Sequence, residues 1–437
     1  MLEGRSCVVP RVFSSSCQQE SSWGCMSYRL GLDIGNSKRP LEIDSEDDQH
    51  QRKATRLIDL ESRPQEGDDL QEGSDDQRQS PDSHSLIPGI DRDNAISCLI
   101  RCSRSDYGSI ASLNKSFRSL ISSGELYKLR KQNGVIEHWI YFSCHLVEWE
   151  AFDPVRVRWM RLPRMIENEY VIFPDRESLA VGTELLVFTR DVMTNSYVIY
   201  KYSILTNSWT SGMKMNVPRC LFGSASLGEI AIIAGGRDSQ GNTLRSAEMY
   251  NSETQVWEQL PDMHEPRNMC SGVFMDGKFY VIGGMGGNES NKSRVLTCGE
   301  EFDLKTRTWT KIPNMSPARG GGADTPAAAE APPLVAVVNN ELYAADYADM
   351  EVRKYDKQRK AWFTVGRLPE RAASMNGWGL AFRACGDSLI VIGGPRTAGE
   401  GIIEVNAWAP AAGPPQWNLL GRKRSSNFVY NCAVMGC

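Results

Sequence analysis

At 437 residues, 41% hydrophobic and 24% charged with a formal net charge of -5, the chain is long enough for two or three domains and lacks the basic excess of a nucleic-acid binder. Its 12 cysteines are scattered without a CxxC pair, which points to reduced thiols in a nuclear or cytoplasmic protein rather than to disulfides or zinc. No stretch approaches the roughly 18 apolar residues of a membrane span, and the N-terminus MLEGRSCVVPRVFSSSC has no continuous apolar run, so neither membrane insertion nor secretion is expected.

In chain order, residues 1–83 come first, polar and acidic, with the runs EIDSEDDQHQ and EGDDLQEGSDDQRQSPDSH. Such a stretch buries too little apolar surface to offset its chain entropy, and disorder is expected. Lys38 and Arg39, followed by Arg52, Lys53 and Arg56, have the spacing of a bipartite nuclear-import signal or are ordinary basic clusters of a polar tail. Residues 84–132 then predict short amphipathic helices. After LIP at 86–88, Asp91 and Asp93 offer N-caps, and Ile96, Leu99 and Ile100 share one face. A second helix is predicted to carry Ile110, Leu113, Phe117, Leu120 and Ile121, and the segment ELYKLRK adds Leu126 and Leu129. So small a module needs a partner to cover part of its apolar surface.

The rest of the chain is periodic. Trp159, Trp209, Trp257, Trp309, Trp362 and Trp417 recur at intervals of 48 to 55 residues. Seven residues before the first five stand Phe152, Tyr202, Tyr250, Phe302 and Tyr355, and Trp408 precedes Trp417 by nine. The polar segments between each aromatic and its Trp predict β-hairpins that set the two side chains on neighbouring strands. Upstream, apolar strands end in Gly235–Gly236, Gly283–Gly284 and Gly393–Gly394, pairs that permit close backbone approach or positive φ; LLVFTR and LYAADY replace them in the second and fifth repeats. Each repeat is predicted to be one four-stranded blade. The first repeat lacks an upstream strand and the chain ends in a strand with no repeat after it. Residues 427–435 are therefore expected to complete the first blade, giving an all-β, six-bladed propeller over 137–437 without an open edge.

Arg219, Arg267, Arg319 and Arg371 each follow a Trp strand, and Arg424 stands before the closing strand. At the same corner of five blades they would form a partial ring that binds acidic or phosphorylated segments, or they would satisfy carbonyls within their own blades. The Gly/Pro/Ala-rich insert between Met315 and Leu334 is expected to be a flexible loop. With five histidines and no HExxH, phosphate loop or Ser/His/Asp arrangement, no catalytic residue, cofactor or metal is expected.

The segments LIPGI, NAISCLIRCSRSDYGSIASL and NKSFRSLI resemble an F-box, with Phe117 where Trp is usual; the alternative is a small helical cap packed on the following domain. The period near 50 with diglycine, aromatic and spaced Trp resembles the kelch repeat. Together they resemble the plant F-box/kelch-repeat family. The resemblance implies a kelch propeller preceded by a small all-α F-box. It also implies the role of substrate-recognition subunit of an SCF-type E3 ubiquitin ligase. The F-box would dock on a Skp-type adaptor, and through it on the cullin/RING core, while the propeller holds an unidentified target protein. The receptor itself would be non-catalytic, without nucleic-acid or membrane partners. The residues expected at the adaptor interface are Leu86, Ile87, Pro88, Leu99, Ile100, Leu113 and Phe117, of which Leu99 and Ile100 also fit an internal core. The rival classes are a non-ubiquitin kelch scaffold and a propeller enzyme resembling galactose oxidase.

Overall fold

Polar turns between paired aromatics recur along the chain, and they organise it into six antiparallel blades. The computed structural model describes residues 85–437 except 146–147, 166–170, 173–176, 192–193, 195, 288–293, 318–329, 373, 375, 395–400, 426–428 and 430. The expected disorder of 1–83 with its basic clusters, Arg319, and most of the insert between Met315 and Leu334 fall outside the described residues.

From inner to outer strand, blade 3 runs Gly223–Leu227, Ile230–Ala234, Ala247–Asn251 and Val256–Leu260, and blade 4 runs Ser271–Met275, Lys278–Ile282, Gly299–Asp303 and Thr308–Ile312. Blades 5 and 6 repeat this order from Val335–Val338 to Ala361–Arg367 and from Ala381–Cys385 to Asn418–Arg424. Blade 2 begins at Ser178–Val181 and adds a short fifth strand, Val171–Ile172, beside Glu184–Asp191. Blade 1 takes its inner strand from the far end of the chain. Asn431–Gly436 pairs antiparallel with His138–His145, His138 opposite Gly436 and Ser143 opposite Asn431. The ring is thus closed by the C-terminal strand, paired over 431–436; residues 427, 428 and 430 of the expected 427–435 lie outside the described residues.

The hairpin chemistry explains the Trp period. Asp153, Asn251, Asp303 and Asp356 each accept hydrogen bonds from the backbone N–H groups two and three residues on. Val157, Asn207, Gln255, Arg307 and Lys360, each two residues before its Trp, then turn through the left-handed region. Each Trp lands opposite its aromatic, with ring centroids 4.5 Å apart for Phe152–Trp159 and 5.4 Å for Tyr202–Trp209. The indole N–H then reaches back one blade. Trp209 donates to the Pro163 carbonyl (2.8 Å), Trp257 to Met213 (3.0 Å), Trp309 to Pro261 (2.7 Å), Trp362 to Met315 (3.2 Å) and Trp417 to Arg367 (2.8 Å).

Gly235 and Gly236 adopt φ of 71° and 99°, and a Cβ on Gly235 would lie 2.3 Å from the Arg267 carbonyl of the next blade. Gly283 and Gly284 are likewise left-handed, whereas Gly393 stays within its strand, paired with Glu404, and Gly394 serves close approach to Ile403.

The helical module contains α1 (Arg92–Leu99), α2 (Tyr107–Leu113), α3 (Lys115–Ser122) and α4 (Glu125–Gln132). Asp91 caps α1 by accepting from the N–H groups of Asp93 and Asn94. The single helix predicted over Ile110–Ile121 is two, because Asn114 is extended (φ -159°, ψ 171°) and its Oδ1 accepts from Phe117 N at 2.8 Å, which starts α3 afresh. Leu86, Leu99, Ile100, Phe117 and Leu126 are buried in one apolar cluster with Trp139, Tyr141, Trp149 and Tyr202 of blades 1 and 2. The partner that so small a module needs is the propeller itself.

Candidate functional site

In these antiparallel blades, the turns joining strands one to two and three to four lie at one end, the hairpin face. The loops joining strands two to three and blade to blade lie at the other, the loop face. The helical module touches the hairpin face. Leu205, in a blade 2 hairpin turn, packs against Gly124 ahead of α4, and Glu229, in a blade 3 hairpin turn, pairs with Lys131 of α4 at 2.8 Å.

A polar knot fixes this contact. Arg130 of α4 is fully buried; its Nη1 donates to the carbonyls of Ile100 (2.9 Å) and Cys102 (2.6 Å), and its Nη2 pairs with Glu137 at 3.1 Å. The other Glu137 oxygen accepts from Ser103 Oγ (3.1 Å) and Arg104 N (3.2 Å). Arg104, from a single 3-10 turn at Arg104–Asp106, lies 4.4 Å over the Trp139 ring and donates to the Glu137 carbonyl (3.2 Å) and Tyr141 Oη (2.9 Å). Burial pushes the Tyr141 hydroxyl up to about 12, although Arg104 beside it pulls the other way. The chain's last residue joins the knot's edge: the Cys437 N–H donates to the Glu137 carbonyl at 3.2 Å, and Glu137 N returns a bond to Cys437 O at 3.1 Å.

Two of the expected adaptor residues, Leu86 and Phe117, are corrected by this packing, and for Leu99 and Ile100 it is the internal-core reading that holds. Leu86, Leu99, Ile100 and Phe117 are buried in the chain's own core, because the apolar helix face that periodicity reveals is covered by blades 1 and 2. Ile87 is half-buried, while Pro88 is exposed in the tight turn where Ile90 N donates to the Ile87 carbonyl (3.0 Å). Leu113 is 69% exposed and Ile90 41%. The outward apolar residues of the module are therefore Pro88, Ile90 and Leu113.

Of the two readings of the corner arginines, Arg219 and Arg267 take the second, satisfying carbonyls at their own blades, and the ring is not formed by them. Arg219 and Arg267 are fully buried, so neither can receive a partner. Arg219 donates to the carbonyls of Val217, Gly235 and Ser246 and pairs with Glu248 at 2.7 Å. Arg267 donates to the carbonyls of Gly283 and Cys298 and pairs with Glu300 at 2.6 Å. Each carboxylate also accepts two backbone N–H groups of the blade-to-blade loop, Asn216 and Val217 on Glu248, His264 and Glu265 on Glu300. Burial acts to raise the Glu300 pKa, but Arg267 and those N–H groups outweigh it and hold the carboxyl below its usual range. Arg371 lies in the 3-10 turn Glu370–Ala372, and Arg424 sits exposed at the end of the outer strand of blade 6 rather than at a blade corner. Sequence reasoning missed Glu248 and Glu300. Their signal is a Glu two residues before the aromatic marker in repeats three and four.

Among the described residues, no group of three His, Cys, Asp or Glu side chains is placed to hold a metal ion, and the described cysteines form no disulfide with one another. Burial pushes the thiols of Cys270 and Cys385 up to about 11 and 12, which keeps them protonated and unreactive.

Fold and site define a kelch-type propeller with a helical module fixed to its hairpin face. The Kelch motif family matches residues 218–264 and 266–316, the two blades with the buried Arg–Glu corner. The F-box/kelch-repeat protein SKIP11 of Arabidopsis thaliana is 60% identical, and the F-box/kelch-repeat protein At1g26930 of the same plant is 58% identical, each match covering 100% of both chains. The F-box/kelch-repeat protein At3g27150, also from Arabidopsis thaliana, is 35% identical over 80% of this chain and 83% of its own. The chain belongs to the F-box/kelch-repeat proteins.

Proposed function

We propose that the chain is the substrate-recognition subunit of an SCF-type E3 ubiquitin ligase, working in the nucleus, the cytoplasm or both. The helical module binds a Skp-type adaptor, and through it the cullin/RING core, with Pro88, Ile90 and Leu113 at the contact. The loop face of the propeller holds a target protein for ubiquitination and degradation. The observation that carries this reading is the division of faces: the module is locked to the hairpin face yet keeps apolar side chains exposed, and the blade loops gather at the opposite end. No residue of the chain need do chemistry, because holding a target lysine near a ubiquitin-charged enzyme raises its effective concentration. Affinity purification of the full chain tests this. The wild-type protein is expected to recover adaptor and cullin, and Pro88→Asp with Leu113→Asp to lose both while the fold is kept. A folded wild-type chain that recovers neither overturns the ligase assignment and leaves a kelch scaffold.

A further inference from the structure

The inner strands of all six blades enclose an axial cavity of about 280 Å³. In blades 2 to 5 its lining begins at residues that enter the inner strands from the loop face, such as Glu177, Leu221 and Pro333, and stops short of Val181, Leu227, Met275 and Val338 at their hairpin ends, whereas blade 6 contributes Arg383 and Ala384 beside its hairpin turn. The cavity thus extends from the loop face to Arg383. Small side chains make its wall, among them Ala180, Ser224, Ser226, Ala336 and Ala384.

Arg383 is the one charged residue on the six inner strands. It is half-buried, lines the cavity, and is pinned there by two bonds: Nε donates to the Cys432 carbonyl of blade 1 and Nη1 to its neighbour Phe382, both at 3.0 Å. Buried Arg130, Arg219 and Arg267 each meet a carboxylate, but none of the described residues places one within ion-pair range of Arg383. The carboxylate at the mouth, Glu177, is engaged by the Leu221 N–H. Arg383 thus holds a guanidinium whose Nη2 donors have no acceptor among the described residues, fixed in advance inside a narrow cavity.

The geometry points to an anion site: the axial cavity takes a small carboxylate or phosphate compound, with Arg383 as its charged clamp. The volume of about 280 Å³ falls just short of the roughly 300 Å³ at which small-molecule pockets begin, which suits a compact ligand rather than a length of polypeptide. The site stands apart from the ligase reading, since it needs neither adaptor nor target. Titration calorimetry of the full chain at constant ionic strength, with inorganic phosphate, citrate and an acetylated Glu-containing tripeptide as probes, tests it. Saturable binding of phosphate or citrate is expected, weakened about tenfold or more in Arg383→Met and partly kept in Arg383→Lys. Should Arg383→Met fail to fold, arginine modification of the wild-type chain by phenylglyoxal decides: citrate or phosphate should protect Arg383. Absence of binding, unchanged affinity in Arg383→Met, modification of Arg383 unaffected by the anions, or binding of the tripeptide alone overturns the proposal.

Discussion

Two sets of buried arginines do different work with the same chemistry. Arg219 and Arg267 tie each of blades 3 and 4 to itself, joining a blade-to-blade loop, the end of the second strand and a glutamate on the third. Arg104 and Arg130 tie two modules together through Glu137, Tyr141 and Trp139. The first pair recurs with the repeat, and its carboxylates are as buried as the arginines; the second occurs once, and Glu137 keeps 23% of its side chain exposed. Loss of a repeat corner should therefore be felt as global stability, and loss of the knot as freedom of the helices.

The closing strand serves both regions, because Met435 and Cys437 belong to the core shared with the helices. Deleting residues 431–437 should have the largest effect, abolishing a cooperative melt by circular dichroism; a truncated chain that melts like the parent would show that closure is dispensable. Next, Glu300→Ala strands the buried Arg267 and should cost about 3–5 kcal/mol in urea unfolding. By contrast, Glu137→Ala should leave hydrogen exchange in Gly223–Ile312 unchanged and accelerate it across Arg92–Gln132. Equal acceleration in both segments would show that the knot and the repeat corners are not separate.

Acid sharpens the same contrast. The folded Glu300 pKa lies below its ordinary 4.5, so the native state binds fewer protons than the unfolded state in that window. Stability from this pair is complete above about pH 5 and is lost as pH falls through the depressed value, and Glu300→Gln should flatten that part of the urea-midpoint profile. The smallest effect is a gain. Val157 is a β-branched residue at φ 57° on an exposed turn, and Val157→Asn should raise stability by up to about 1 kcal/mol, read as a higher melting temperature.

The propeller was legible because its determinants are local: an Asx residue, replaced by Ser203 in the second repeat, a left-handed position and a Trp within one turn, present in five repeats with a degenerate copy at Trp408–Trp417. Closure was legible as a missing strand at one end and a spare one at the other. For the corner arginines the sequence left two readings open, because their burial depends on glutamates 29 and 33 residues further on, brought near only by the third strand. The helices show a related limit. Periodicity marks Leu99, Ile100 and Phe117 as an apolar face but does not say what covers it, and a core shared with Trp139 and Tyr141 hides them. Arg383 gave no sequence signal at all, since only ring closure turns an inner strand into a cavity wall.

The most direct test of the division of faces is hydrogen exchange of the full chain with and without a purified Skp-type adaptor. Protection is predicted at Pro88–Ile90 and around Leu113, with the propeller strands unaltered. Protection confined to the propeller, or no change anywhere at saturating adaptor, would contradict the account.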